Sequence, residues 1–80
     1  MHQVIVLIPS KNEKSTLFKL LNRIKIKTIV VNDNSKDGTR ELLKLLKIEH
    51  INNIHNLGYE GSLLKGFRYI KNKYKYCKYI

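Results

Sequence analysis

The most constraining feature of the chain is a short, wholly apolar run, Val4-Ile5-Val6-Leu7-Ile8, that stops at Pro9. It is long enough for a strand and too short for a helix. β-Branched residues dominate it, and an apolar side chain at every position suits a strand covered on both faces. The pattern recurs along the chain. Residues 28–31, Thr-Ile-Val-Val, read as a second buried strand. Residues 50–55 form a weaker third, with Ile51 and Ile54 as its apolar members, and residues 76–80 read as the start of a fourth.

The intervening segments carry a different period. Within residues 14–26, Leu17, Leu20, Leu21 and Ile24 follow the i, i+3, i+4, i+7 spacing of an amphipathic helix. A second helix runs to about residue 47, capped by Ser35 or Asp37, with Glu41 in its first turn and Leu42, Leu45 and Leu46 on one face. A third covers residues 62–74, with Leu63, Phe67, Ile70 and Tyr74 on one stripe. The order β-α-β-α-β-α-(β) predicts an α/β fold: a parallel sheet with right-handed crossovers and helices on both faces, a three-layer sandwich. Ligands of such sheets bind outside the carboxyl ends of the strands. Those ends are the polar segments 9–13, 32–38 and 56–61.

Composition narrows the setting. The lone cysteine, Cys77, permits no intramolecular disulfide, and reads as a small buried or half-buried thiol. No apolar run approaches the roughly 20 residues that cross a bilayer, and the amino terminus lacks the pattern of a signal peptide. A reducing, cytoplasmic location is the expectation. Sixteen Lys and Arg against six Asp and Glu give a net charge of +10, and residues 65–78 hold six basic residues and no acidic one. Such a surface attracts polyanions: nucleic acid, nucleotide phosphates or an anionic membrane. A solvated, Lys-rich surface is the plainer account.

Several sites are excluded by their spacing. The first βα turn is not Gly-x-Gly-x-x-Gly, and no Gly-x-x-x-x-Gly-Lys-Ser/Thr occurs. Asp33-x-Ser35-x-Asp37-Gly38 opens like a calcium loop, but its twelfth position is Lys44. His50 and His55, five apart on a predicted strand, fall on opposite faces and make no metal pair. Asp33 lies just past a buried strand, where a carboxylate can accept hydrogen bonds from a base or from ribose hydroxyls; turn formation accounts for it as well. Glu13 sits at a helix start, where an acid favours the dipole. Gly58 and Gly61 either supply positive φ or let a diphosphate approach a helix N-terminus.

The segment Val6-Leu7-Ile8-Pro9-Ser10-Lys11-Asn12-Glu13 resembles the opening of family 2 glycosyltransferases of the GT-A fold, a strand followed by Pro-x-aromatic-Asn-Glu. Val30-Val31-Asn32-Asp33-Asn34-Ser35-Lys36-Asp37-Gly38-Thr39 is similar to their second motif, Val-Val-Asp-Asp-Gly-Ser-x-Asp-Gly-Thr. Residues 56–67, Asn56 to Phe67, resemble the third, Asn-x-Gly-x-x-x-Ala-x-x-x-Gly, most like the branch with the dolichol-phosphate mannosyltransferases. The three fall in order on the expected elements and cover nearly the whole chain. The resemblance implies the nucleotide-binding, amino-terminal half of a Rossmann-like GT-A domain, so that residues 1–80 form a single partial domain.

The resemblance also implies roles. Pro9 and Glu13 line the nucleotide site, Asp33 contacts the base, and Gly58 bounds the pocket. Lys11 stands where the family has an aromatic residue, so a stacking or packing contact is either lost or replaced by a cation near the phosphates. Asn32 replaces the first Asp, and Asn34 replaces a Gly in a turn that Asn tolerates. Leu64 takes a place often held by a cation, and Lys65 follows it. The family reaction is inverting displacement from a nucleoside diphosphate sugar, with Mg²⁺ or Mn²⁺ on the leaving diphosphate and a general base on the acceptor. The Asp-x-Asp metal ligands and the base belong after the fourth strand, so the chain is expected to carry nucleotide binding without catalysis. A polyprenyl phosphate acceptor and an anionic membrane surface are the further partners implied, and nucleic acid is not. The alternative reading is a small basic nucleic-acid-binding module, with Tyr69, Tyr74, Tyr76 and Tyr79 interleaved with Lys as stacking groups.

Overall fold

The computed structural model describes residues 3–74 and 77–79, with side chains from Val4 to Tyr74. Strands and helices alternate: β1 (Gln3–Ser10), α1 (Lys14–Arg23), β2 (Thr28–Asn32), α2 (Thr39–Leu45), β3 (Glu49–Asn52), α3 (Gly58–Lys73) and β4 (Cys77–Tyr79). Every pairing is parallel, in the order β3-β2-β1-β4. This is the α/β sheet expected from the alternating periods. The order turns back at β1: β2 and β3 add outward on one side, and α3 returns the chain to place β4 on the other. The reading of Cys77 as a buried thiol, and the strand reading at residues 76 and 80, lie outside the described residues and side chains.

Strand alternation divides the core into two layers. Ile5 and Leu7 of β1 and Ile29 and Val31 of β2 face α3, where Ile70 is fully buried and Leu63 and Phe67 pack alongside. Ile8 and Val30 point the other way, against Leu17 and Leu21 of α1 and Leu43 of α2. All five residues of β2 are buried. β1 is covered less completely than its apolar run suggests: Val4 is 40% exposed, since the α1 and α2 contacts on that face fall at Ile8 and Val30.

α3 lies close to the sheet because small residues line its inner face. Ser62, Gly66 and Ile70 are buried at successive i, i+4 positions. A Cβ on Gly66 would stand 2.5 Å from Leu7 Cδ1 and 3.0 Å from Val31 Cγ2, so only glycine permits this approach.

Four boundaries differ from those expected. α1 ends at Arg23 rather than at residue 26, because Ile24 turns to extended backbone, and Ile26 is left exposed. α2 buries Leu42 and Leu43, whereas Leu45 is 78% exposed. The reason is a Schellman ending: Lys47 N–H donates to Lys44 O at 3.1 Å and Ile48 N–H to Leu43 O at 3.0 Å. Lys47 takes φ 56° at the left-handed position, and Ile48 folds back onto the Leu43 cluster. β3 ends at Asn52, leaving Ile54 83% exposed and His55 in an exposed loop. α3 begins at Gly58, four residues before Ser62.

The end of the sheet opposite those loops is closed by one carboxylate. Glu49, the first residue of β3, pairs with Lys27 at 2.7 Å and Lys73 at 2.8 Å. It also accepts the Tyr74 hydroxyl at 2.6 Å and the Tyr69 hydroxyl. Burial opposes its charge most strongly, but the four donors together outweigh burial and hold the carboxyl well below the usual range. β3 is thereby tied to the turn before β2 and to the last turns of α3.

Candidate functional site

The register sets the strand ends in a row: Ser10 lies opposite Asn32, and Asn32 opposite Asn52. The Asn32 amide supplies both a donor and an acceptor there. Its Nδ2 donates to Asn52 Oδ1 at 3.0 Å, while its Oδ1 accepts Ser35 N–H at 3.2 Å. One step further, Asp33 N–H donates to Ser10 O at 2.8 Å and Asn53 N–H to Asn32 O at 2.9 Å. Three loops therefore leave the sheet side by side.

The β2–α2 loop binds the other two. Toward the β1–α1 loop, Asn12 N–H donates to Ser35 Oγ at 2.9 Å and Lys36 N–H to Asn12 Oδ1 at 2.7 Å. Asp37 Oδ2 accepts Lys14 N–H, the first of α1, at 2.9 Å. The other oxygen of Asp37 accepts the N–H and the hydroxyl of Thr39, at 3.2 and 2.5 Å. One carboxylate thus caps two helices. The Thr39 hydroxyl is the largest influence on Asp37; against burial, it and the backbone donors hold the pKa below the ordinary value. Gly38 takes φ 88° between them, and Asn34 takes φ 55°, the left-handed turn expected of an Asn in a glycine's place.

Toward the β3–α3 loop, Asp33 does the binding. Its Oδ1 accepts Leu57 N–H at 2.6 Å and Asn53 Nδ2 at 3.0 Å, and its Oδ2 accepts Gly58 N–H at 2.9 Å. It is 4% exposed. Burial is the largest single influence and opposes ionisation. The hydrogen bonds from Leu57, Asn53 and Gly58, with the charge of Lys11, outweigh it and lower the pKa. The Asn56 amide, oriented by its hydrogen bonds, donates to Asp33 O at 2.7 Å and accepts from Lys11 Nζ at 3.2 Å.

These contacts border an open cavity of about 210 Å³ lined by Pro9, Ser10, Lys11, Asp33, Asn56, Gly58, Tyr59 and Ser62. Four residues singled out from the sequence, Pro9, Lys11, Asp33 and Gly58, meet there. Glu13 lines a neighbouring cavity shared with Pro9, Ser10 and Lys11. It also lines a larger, more open one of about 610 Å³ beside Phe18, Asp37 and Leu42. Its side chain makes no cap bond to α1. Lys65 is exposed on α3, two turns beyond Gly58, and outside this cavity.

Asn53 and Ser62 escaped the sequence reading. Asn53 Nδ2 bridges Asp33 and Ser62 Oγ, the latter at 3.2 Å, and both residues are buried. Asn53 falls inside the strand expected over residues 50–55 and gives no signal of its own, since β3 ends one residue before it; Ser62 fills the small-residue place of the third motif. The cavity sets one carboxylate against one ammonium among the Asn56 amide and the hydroxyls of Ser10, Tyr59 and Ser62, which suits a ligand carrying both hydrogen-bond donors and acceptors. Among the described residues no group of three or more His, Cys, Asp or Glu is placed to hold a metal ion.

A parallel sheet with helices on both faces and loops that meet at the carboxyl ends of its strands is an α/β Rossmann-like half-fold, the arrangement in which ligands bind at those ends. The chain belongs to glycosyl transferase family 2, whose family model matches residues 5–77. It is similar to an uncharacterized protein of Methanocaldococcus jannaschii, 31% identical over 88 residues, a match that takes in 96% of this chain and 38% of the relative. The chain thus spans well under half the length of that relative. No solved structure matches it significantly. Among the described residues no helix is long and apolar enough to cross a membrane.

Proposed function

We propose that the strand-end cavity binds the nucleoside part of a nucleoside diphosphate sugar, and that residues 1–80 are the nucleotide-binding part of an inverting glycosyltransferase domain. One observation carries this reading: Pro9, Lys11, Asp33 and Gly58, from three separate motifs, surround a single cavity at the carboxyl ends of parallel strands. The cavity's balance of charge also favours a base and ribose over a bare phosphate. Asp33 already supplies the anion at the start of α3, so a second anion there would be repelled. Lys11 extends the site with a cation suited to the diphosphate, and Glu13 lies one cavity away, within the same strand-end surface.

The donor's leaving diphosphate calls for Mg²⁺ or Mn²⁺, whose ligands we assign outside this chain, together with the base that takes the acceptor proton. A polyprenyl phosphate acceptor, as in the dolichol-phosphate mannosyltransferase branch, is supported by the third-motif segment from Asn56 to Gly66. A cytoplasmic enzyme at the membrane periphery fits that acceptor.

Titration calorimetry with a panel of nucleoside diphosphate sugars, and with single-stranded nucleic acid at low and high salt, tests the reading. Saturable binding of one sugar nucleotide, weakened by the exposed substitution Lys11→Ala, is the expected result. Steeply salt-dependent nucleic-acid binding without sugar-nucleotide binding would overturn it.

A further inference from the structure

The outer face of α3 carries a second feature that the cavity does not use. Leu57, Gly61, Leu64, Arg68 and Lys71 follow one another at alternating four- and three-residue steps, which places them on one side of the helix. That side is opposite buried Ser62, Gly66 and Ile70. Leu57 is 46% exposed and Leu64 55% exposed. Lys65, Arg68 and Lys71 are exposed, and among the described residues the ion pairs are those of Lys27 and Lys73 with Glu49. Glu60, exposed one turn before Leu64, is the acidic residue on this side of the helix, and none follows it in the sequence. The opposite surface is also basic, but there Lys19, Arg23, Arg40 and Lys44 share it with Glu13, Asp37 and Glu41 on two short helices.

From this combination we infer that the outer face of α3 docks on an anionic lipid surface. The exposed cations supply attraction to the headgroups. Leu64 stands beside Lys65 and one turn before Arg68, and Leu57 lies at the start of the stripe. Exposed leucines gain nothing from a nucleic-acid backbone but are buried at the headgroup–acyl boundary of a bilayer. The helix lies flat on the sheet and its face is a surface stripe, so docking is peripheral. α3 also begins at Gly58, on the rim of the cavity, so the docked helix sets that cavity beside the bilayer. This inference does not depend on what the cavity binds.

Vesicle flotation of the purified protein tests it, using vesicles of phosphatidylglycerol with phosphatidylcholine against phosphatidylcholine alone. The expected result is recovery with the anionic vesicles only. Replacing Lys65, Arg68 and Lys71 together by Gln should lower partitioning on the order of 100-fold, about fivefold per charge. Leu64→Gln should also weaken it, and Lys19→Gln with Lys44→Gln much less than the α3 set. All these positions are exposed, and circular dichroism verifies that each variant keeps its fold. Equal recovery with neutral vesicles would overturn the inference. So would unchanged binding by the α3 variant, or a greater loss from the Lys19 and Lys44 pair. Competition by DNA that is insensitive to Leu64→Gln would reassign the face to nucleic acid.

Discussion

Asp33 Oδ2 accepts the backbone N–H of Gly58 at 2.9 Å, across 25 residues of sequence. With Leu57 N–H on the other oxygen, the carboxylate at the end of β2 supplies the start of α3 with the acceptor that its own sequence lacks. The first N–H groups of a helix have no partner within it, and a negative charge there also complements the dipole. The same residue lines the cavity, so the wall of the site and the position of α3 are set by one side chain.

Asp33→Ala leaves two backbone donors and the Asn53 amide without their acceptor. Loss of about 3 kcal/mol is expected in urea unfolding, from hydrogen bonds to a buried charge. Asp33→Asn, which retains one carbonyl oxygen, should lose less.

The lowered pKa of Asp33 fixes the sign of a pH effect. Its folded-state value lies below its unfolded one, so its contribution is complete above roughly pH 4 and is lost as pH falls through the folded-state value. Asp37 and Glu49 are shifted the same way. Stability followed by denaturant melts from neutral to acid pH should therefore fall in the acid range, and less steeply for Asp33→Asn than for the parent.

The methyl group of Gly66→Ala meets Leu7 and Val31 in the buried layer. Overpacking of this kind costs about 1–3 kcal/mol. A double-mutant cycle with Leu7→Ala should show the two losses to be less than additive, since the smaller residue removes the obstruction.

Much of this fold could be read from the residues, because it rests on local periods. The apolar runs at 4–8 and 28–31 are strands, and the Leu63, Phe67, Ile70 stripe faces the core. The misplacements were non-local in origin. Nothing between Asn53 and Ser62 announces a helix start at Gly58, because its cap is Asp33. Leu43 rather than Leu45 is buried because the Schellman turn at Lys47 and the packing of Ile48 orient a seven-residue helix. For the site, the motif residues Pro9, Lys11, Asp33 and Gly58 were legible, whereas Asn53 and Ser62 act only through the contact that folding creates between them.

Lys47 occupies a left-handed position that glycine adopts without steric cost. Lys47→Gly should raise stability by about 0.5–1 kcal/mol, the relief of φ strain exceeding the greater chain entropy of glycine when unfolded. The midpoint of thermal or urea unfolding reads this directly.

The most direct measurement is an amide chemical-shift map of the protein during titration with nucleoside diphosphate sugars. Saturable shifts are expected at Lys11, Asp33, Asn56, Gly58 and Tyr59, with Glu49 and the last turn of α3 unmoved. Shifts confined to Lys65, Arg68 and Lys71, or none at any concentration, would contradict the assignment of the strand-end cavity as a sugar-nucleotide site.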